Sequence, residues 1–113
     1  MDRDIATLLD IAKAARLVVE FTQGMEQDEF LADVKTQSAV LHQLLVMGEA
    51  VKRLSEGLRL KYPQVPWKLM AGMRDILIHA YDVVDLNQVW QTTQVDVPNL
   101  LSQIDPLLPP KPT

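Results

Sequence analysis

Residues 40–58 read VLHQLLVMGEAVKRLSEGL, and the apolar positions Val40, Leu44, Met47, Val51, Leu54 and Leu58 recur at alternating spacings of four and three. That period matches one face of an α-helix and not the strict alternation of a half-buried strand. The stretch is therefore expected to form a long central helix, running on until Tyr62 and Pro63 stop it. Upstream, Ile5, Leu8, Leu9, Ala12, Ala15 and Val19 give a second stripe that ends near Thr22, Gln23 and Gly24, and Asp28 is expected to cap a short turn through Phe30 and Leu31.

Downstream, Pro63 and Pro66 bracket a tight connection, and Pro66 suits the first turn of a third long helix reaching Tyr81. Asp85 followed by Gln88 resembles a capping pair ahead of Leu86, Val89 and Trp90, and Asp96, Val97 and Pro98 are expected to reset the chain into a last helix with Leu100, Leu101 and Ile104. Short connections between amphipathic helices predict an all-α, up-and-down bundle of four to five helices. The bundle is expected over residues 1–105, with residues 106–113, which hold four prolines, as an extended tail.

A chain of 113 residues with 48% hydrophobic content supports one core. Without cysteine it has no disulfide, thiolate zinc site or thiol nucleophile, which fits a reducing cytoplasm. The N-terminal MDRDIATLLD shows no basic segment followed by an apolar run, and no window approaches a membrane span, so neither secretion nor insertion is expected. The net charge of −4 is unevenly spread. Between residues 51 and 74 a single acid, Glu56, faces Lys52, Arg53, Arg59, Lys61, Lys68 and Arg74, a basic approach on an acidic body that also reads as a solvated helix face.

That basic stretch leads into MRDILIHAYD, residues 73–82, which sets Arg74, Asp75, His79 and Tyr81 close together. Cleavage of RNA by attack of a ribose 2′-hydroxyl needs a base for the hydroxyl and a cation for the charge developing on phosphorus oxygens. His79 and Arg74 are of those types, and a planar, always-charged guanidinium matches phosphate oxygens. On a straight helix, however, Arg74 and His79 lie about 140° apart, and Arg74 and Tyr81 about 20°. Either the helix loosens near its end, or Arg74 reaches round, or two protomers share a cleft, the arrangement favoured here. Asp75, one turn before His79, is placed to orient the imidazole. Asp75, His79 and Asp82 at offsets of 0, 4 and 7 leave open a site for a hard divalent ion. His42, the methionines, Trp67 and Trp90 read as surface or packing residues.

Taken with their order, MGEAVKRLSE, YPQVPW, RDILIHAY and VVDLNQVWQTTQVDVPNL resemble, over nearly the whole chain, the HepT-like toxins, minimal HEPN-domain ribonucleases paired with a small nucleotidyltransferase antitoxin of the MNT type. Close HepT relatives more often carry Asn where this chain has Asp75. The resemblance implies a HEPN-like bundle and a metal-independent endoribonuclease toxin of a type VII-like system, homodimeric, without cofactor. Arg74 and His79 would be its catalytic pair, Asp75 a support, RNA its substrate and Tyr81 the acceptor of AMP from the antitoxin. Glu49 would be a cleft support or an ordinary helix-surface carboxylate. Two other readings stand beside it: a non-catalytic helical module that partners a nucleotidyltransferase, and a metal-dependent phosphoesterase using Asp75, His79 and Asp82.

Overall fold

The computed structural model describes residues 3–110, and every regular element among them is helical. Helix α1 spans Arg3–Thr22 and stops at Gly24, whose φ of 76° is the left-handed conformation glycine adopts without strain. Helix α2, Gln27–Leu31, is a single short turn. Asp28 lies inside it instead of capping it; the Glu26 N–H donates to the Glu29 carboxylate at 3.0 Å, so the capping role falls two residues earlier than expected. Helix α3, Val34–Arg53, starts at Asp33, whose carboxylate accepts from both the N–H and the hydroxyl of Thr36 at 3.1 and 2.6 Å.

The central helix is shorter than its apolar stripe. Leu54 turns extended, with φ −66° and ψ 144°, and Ser55 caps a separate helix α4, Glu56–Lys61, by accepting from the Leu58 N–H. The cause is a distant partner: the Ser55 N–H and hydroxyl both donate to the carboxylate of Asp4, at 3.0 and 2.6 Å. Two donors satisfied by the start of α1 favour a break over one more helical turn.

The YPQVPW connection closes on itself through the Trp67 indole N–H, which donates to the Tyr62 carbonyl at 3.0 Å. Helix α5, Trp67–His79, follows, with Pro66 immediately before its first residue. It ends two residues short of the expected Tyr81. Ala80 leaves the helical region at φ −141°, and Tyr81–Val83 form a separate 3₁₀ turn. Asp85 does cap α6, Leu86–Gln91, through the Asn87 N–H.

No reset occurs at Pro98. Thr92–Asp96 form a widened, π-helical turn in which the Val97 N–H reaches the Thr92 carbonyl, and α7, Val97–Ile104, continues with Asp96 and Val97 in helical conformation. The residue after Val97 is proline, which has no N–H and crowds the carbonyl four residues back, so a wider turn lets the helix run through it. The hydroxyls of Thr92 and Thr93 bond the Gln88 and Trp90 carbonyls. Asp105–Leu107 then make a 3₁₀ turn, and Leu107 and Leu108 pack against the core; residues 111–113 of the proline-rich tail lie outside the described residues.

The long elements form a row in the order α5, α3, α1, α7, with α2 bridging α3 and α6. Val18, Val40, Leu44, Met47, Met70 and Leu100 are among the buried side chains between them, and Phe30 meets Trp90 with ring centroids 5.4 Å apart. Trp67 and Trp90 are buried, as expected, and His42 is exposed. Because α5 ends the row and packs chiefly on α3, it leaves apolar residues exposed on both flanks of its buried face: Leu69 and Ile76 on one, Ile78 on the other. None of the helices is long and apolar enough to cross a membrane.

The caps have a pH signature. The Ser55 hydroxyl and N–H hold the Asp4 carboxyl below its ordinary range, and the Thr36 hydroxyl and N–H do the same for Asp33. A carboxyl whose folded pKa is depressed contributes stability above its unfolded value of about 3.9 and loses it as pH falls through the folded value. Thermal melts should therefore show stability falling once pH drops below about 4. Asp33→Asn should melt lower near neutral pH and decline less steeply in acid. An acid profile for Asp33→Asn that parallels the wild type would refute this role for the cap.

Candidate active site

The site is built where α3 crosses α5. Gly48 makes the crossing close: a Cβ there would collide with the Cβ of Arg74 and come within 2.8 Å of the Met70 carbonyl oxygen. The missing side chain in MGEA therefore lets α3 and α5 of one chain pack closely. It brings Glu49, next to it on α3, against the side chain that α5 projects at the same level.

Arg74 is thus gripped at its root by packing and at its head by carboxylates. Its Nε donates to Glu49 Oε1 at 2.6 Å and its Nη1 to Asp75 Oδ1 at 3.0 Å, with the side chain 22% exposed. The same Asp75 oxygen accepts from Lys52 Nζ at 2.6 Å. Glu49 first, then Asp75, raises the pKa of the guanidinium above its already high value; Lys52 first, then Arg74, holds the Asp75 carboxyl below its ordinary range. The four residues form a chain of alternating charge, Glu49–Arg74–Asp75–Lys52, two from each helix.

Two expectations change. Asp75 spends its hydrogen bonds on Lys52 and Arg74, and among the described residues none joins it to His79; two cations converge on the one carboxylate oxygen. Tyr81 lies beyond the end of α5, so its angular relation to Arg74 is not that of a straight helix. Of the ways to bring Arg74 towards His79, the helix does not loosen before His79, its last residue, while the Arg74 head does reach round to Asp75, one turn from His79. His79 is exposed, and Tyr81 is 60% exposed. Among the described residues no three His, Asp or Glu side chains gather to hold an ion, so Asp75, His79 and Asp82 are not a preformed metal site.

Glu49 and Lys52 were legible only in outline. They sit three apart in MGEAVKRLSE, on the side of α3 next to the tight glycine, but a carboxylate and an amine on a helix usually face water. Only the partner helix distinguishes them from their neighbours.

Chemically, the site offers a fixed guanidinium with Nη2 uncommitted to any protein group among the described residues, a second cation beside it, and an exposed imidazole at the C-terminal end of the same helix. These are groups that bind a phosphodiester and move a proton.

Residues 11–107 match the family described as ribonuclease HepT-like. The chain is 43% identical over 100 residues to a protein of Thermococcus cleftensis named probable ribonuclease HepT, covering 88% of this chain and 91% of that protein. A relative from Methanocaldococcus jannaschii, with RNase in its name, is 46% identical over 103 residues, 91% of this chain and 85% of the relative. Another from Caldanaerobacter subterraneus, also with RNase in its name, is 36% identical over 98 residues, 87% of this chain and 88% of the relative. No solved structure matches.

The crossing gives a stability prediction. Gly48→Ala should cost about 1–3 kcal/mol, because the added methyl meets backbone and a Cβ instead of a flexible chain end. Gly57→Ala on α4, where nothing lies within 4 Å, should be neutral or stabilising by up to about 1 kcal/mol. Paired denaturant curves check both, and Gly48→Ala as stable as wild type would show that the close approach is dispensable.

Proposed function

The chain belongs to the ribonuclease HepT-like family, and on that premise we propose that it is a metal-independent endoribonuclease acting as the toxin of a type VII-like toxin–antitoxin pair in the cytoplasm. The observation that carries the catalytic assignment is the Arg74 head group, held by Glu49 and borne on the same helix that ends at an exposed His79.

In this reading His79 takes the proton of a ribose 2′-hydroxyl. The freed oxygen attacks the adjacent phosphorus while Arg74 stabilises the charge on the non-bridging oxygens. The bond to the 5′-oxygen breaks, that oxygen takes a proton from water, and the products are a 2′,3′-cyclic phosphate and a 5′-hydroxyl. Glu49 positions Arg74, and Asp75 supports the free site by pairing with Arg74 and Lys52 instead of orienting His79. No step requires a metal, because the guanidinium supplies the cation.

The active unit in this reading is a homodimer whose two copies line a shared cleft. Support comes from one flank of α5, where Leu69 and Ile76 stay 41% and 51% exposed and line an apolar groove with Val83 and Val84. Apolar residues grouped on one helix side are what a second chain would cover.

The partner is an MNT-type nucleotidyltransferase that inactivates the toxin at Tyr81. Its hydroxyl attacks the α-phosphate of ATP, pyrophosphate leaves, and AMP remains on the phenolic oxygen. The exposure of Tyr81 on a turn just past His79 favours this, since a buried phenol could not reach a second enzyme's site. A phosphate group there would repel substrate phosphate.

Purified wild type, free of AMP by mass, should cut RNA in the presence of chelator and leave cyclic phosphate ends. His79→Ala should slow this about 10²–10⁴-fold and Arg74→Ala about 10²–10³-fold with the fold intact. Induced expression should arrest growth for wild type and neither variant, and co-expression with the nucleotidyltransferase should rescue growth for wild type and not for Tyr81→Phe. Cleavage that vanishes in chelator would sink the proposed chemistry, and no cleavage by unmodified, folded protein would favour the non-catalytic partner module.

A further inference from the structure

We propose that Lys52 and Arg74 together form a seat for a phosphate of bound RNA, and that the Asp75 carboxylate occupies this seat until RNA displaces it. The inference rests on the ribonuclease reading and adds to it a second phosphate-binding residue from a different helix.

The geometry is that of two cations converging on one oxygen. Asp75 Oδ1 accepts from Lys52 Nζ at 2.6 Å and from Arg74 Nη1 at 3.0 Å. A non-bridging phosphate oxygen is the same kind of acceptor, anionic and able to take two charge-assisted hydrogen bonds at these distances. Lys52 comes from α3 and Arg74 from α5, so the seat exists only once the helices have crossed at Gly48.

The present occupant is replaceable. The Lys52 and Asp75 side chains are 40% and 48% exposed, and ion pairs open to water are weakly held. Arg74 is held differently: its Nε stays with Glu49 and its side chain is only 22% exposed, so it remains in place when Asp75 swings away. At the two cations the exchange is like for like, one anionic oxygen for another, and the displaced carboxylate turns to water. Asp75 is then an internal competitor for RNA, which gives it an effect opposite in sign to that of a structural ion-pair partner.

The test uses a fluorescent, single-stranded 2′-O-methyl oligoribonucleotide, which has no free 2′-hydroxyl and binds without being cut. Its Kd is measured across a range of KCl concentrations for wild type, Lys52→Gln, Lys52→Arg, Asp75→Asn and Lys35→Gln, a change at the far end of α3. Loss of one phosphate contact should lower the slope of log Kd against log salt by about 0.7 in Lys52→Gln, which corresponds to about fourfold weaker binding at physiological salt. Lys52→Arg should keep the wild-type slope, Lys35→Gln should match wild type, and Asp75→Asn should bind more tightly. A wild-type slope in folded Lys52→Gln, or weaker binding by Asp75→Asn, would overturn the seat. If Lys52→Gln fails to fold, Asp75→Asn decides. Cleavage of ordinary RNA by wild type alongside a negative result for the seat would leave the ribonuclease reading standing, whereas wild type that neither binds the oligonucleotide nor cuts RNA would remove both.

Discussion

The close crossing of α3 and α5 at Gly48 is the constraint on which the rest of the site depends. With no Cβ at that position, the root of Arg74 sits directly against the backbone of α3. Glu49 then meets the Arg74 head within hydrogen-bond distance. A larger residue at position 48 would move α5 outwards and weaken three things at once: the packing of Met47 and Met70, the Glu49–Arg74 pair, and the placing of Lys52 beside Asp75. Packing and chemistry are joined at one point because a long, charged side chain is held still only when both its stem and its head are engaged.

The ion-pair chain built on that crossing divides its members by exposure. Arg74 is mostly covered and bonded at two of its nitrogens, so little rotamer freedom is left to lose when it meets an anion. Lys52 and Asp75 face water more openly and can exchange partners. A rigid cation flanked by exchangeable charges suits the proposed gripping and release of a phosphodiester.

The order of the helices explains why this site lies at an edge. Helices α3 and α1 occupy the middle of the row and bury most of their apolar faces, whereas α5 has a neighbour on one side. The same helix therefore carries the proposed catalytic side chains and leaves Leu69 and Ile76 exposed on one flank and Ile78 on the other. Its end at Ala80 matters as well, since the 3₁₀ turn beyond it presents Tyr81 to solvent instead of continuing the stripe.

Taken alone, the sequence determined what depends on neighbours along the chain: helical period, the stop at Gly24, the cap at Asp85, the burial of Trp67 and Trp90, and the presence of Arg74, His79 and Tyr81 in one short segment. It was misleading wherever a distant residue held the deciding hydrogen bond or contact. The stripe from Val40 to Leu58 reads as one helix because nothing near Ser55 reveals that Asp4, 51 residues away, takes two of its donors. Asp75 reads as a partner for His79 because i, i+4 spacing is local, while Lys52 reaches it from another helix, 23 residues earlier. Pro98 reads as a break because the hydrogen-bond shift that absorbs it is not written in composition. Periodicity reports which face is apolar, and local caps report where helices can start. Which polar side chains meet across helices is decided only by packing, because their partners are set by three-dimensional distance and not by spacing along the chain.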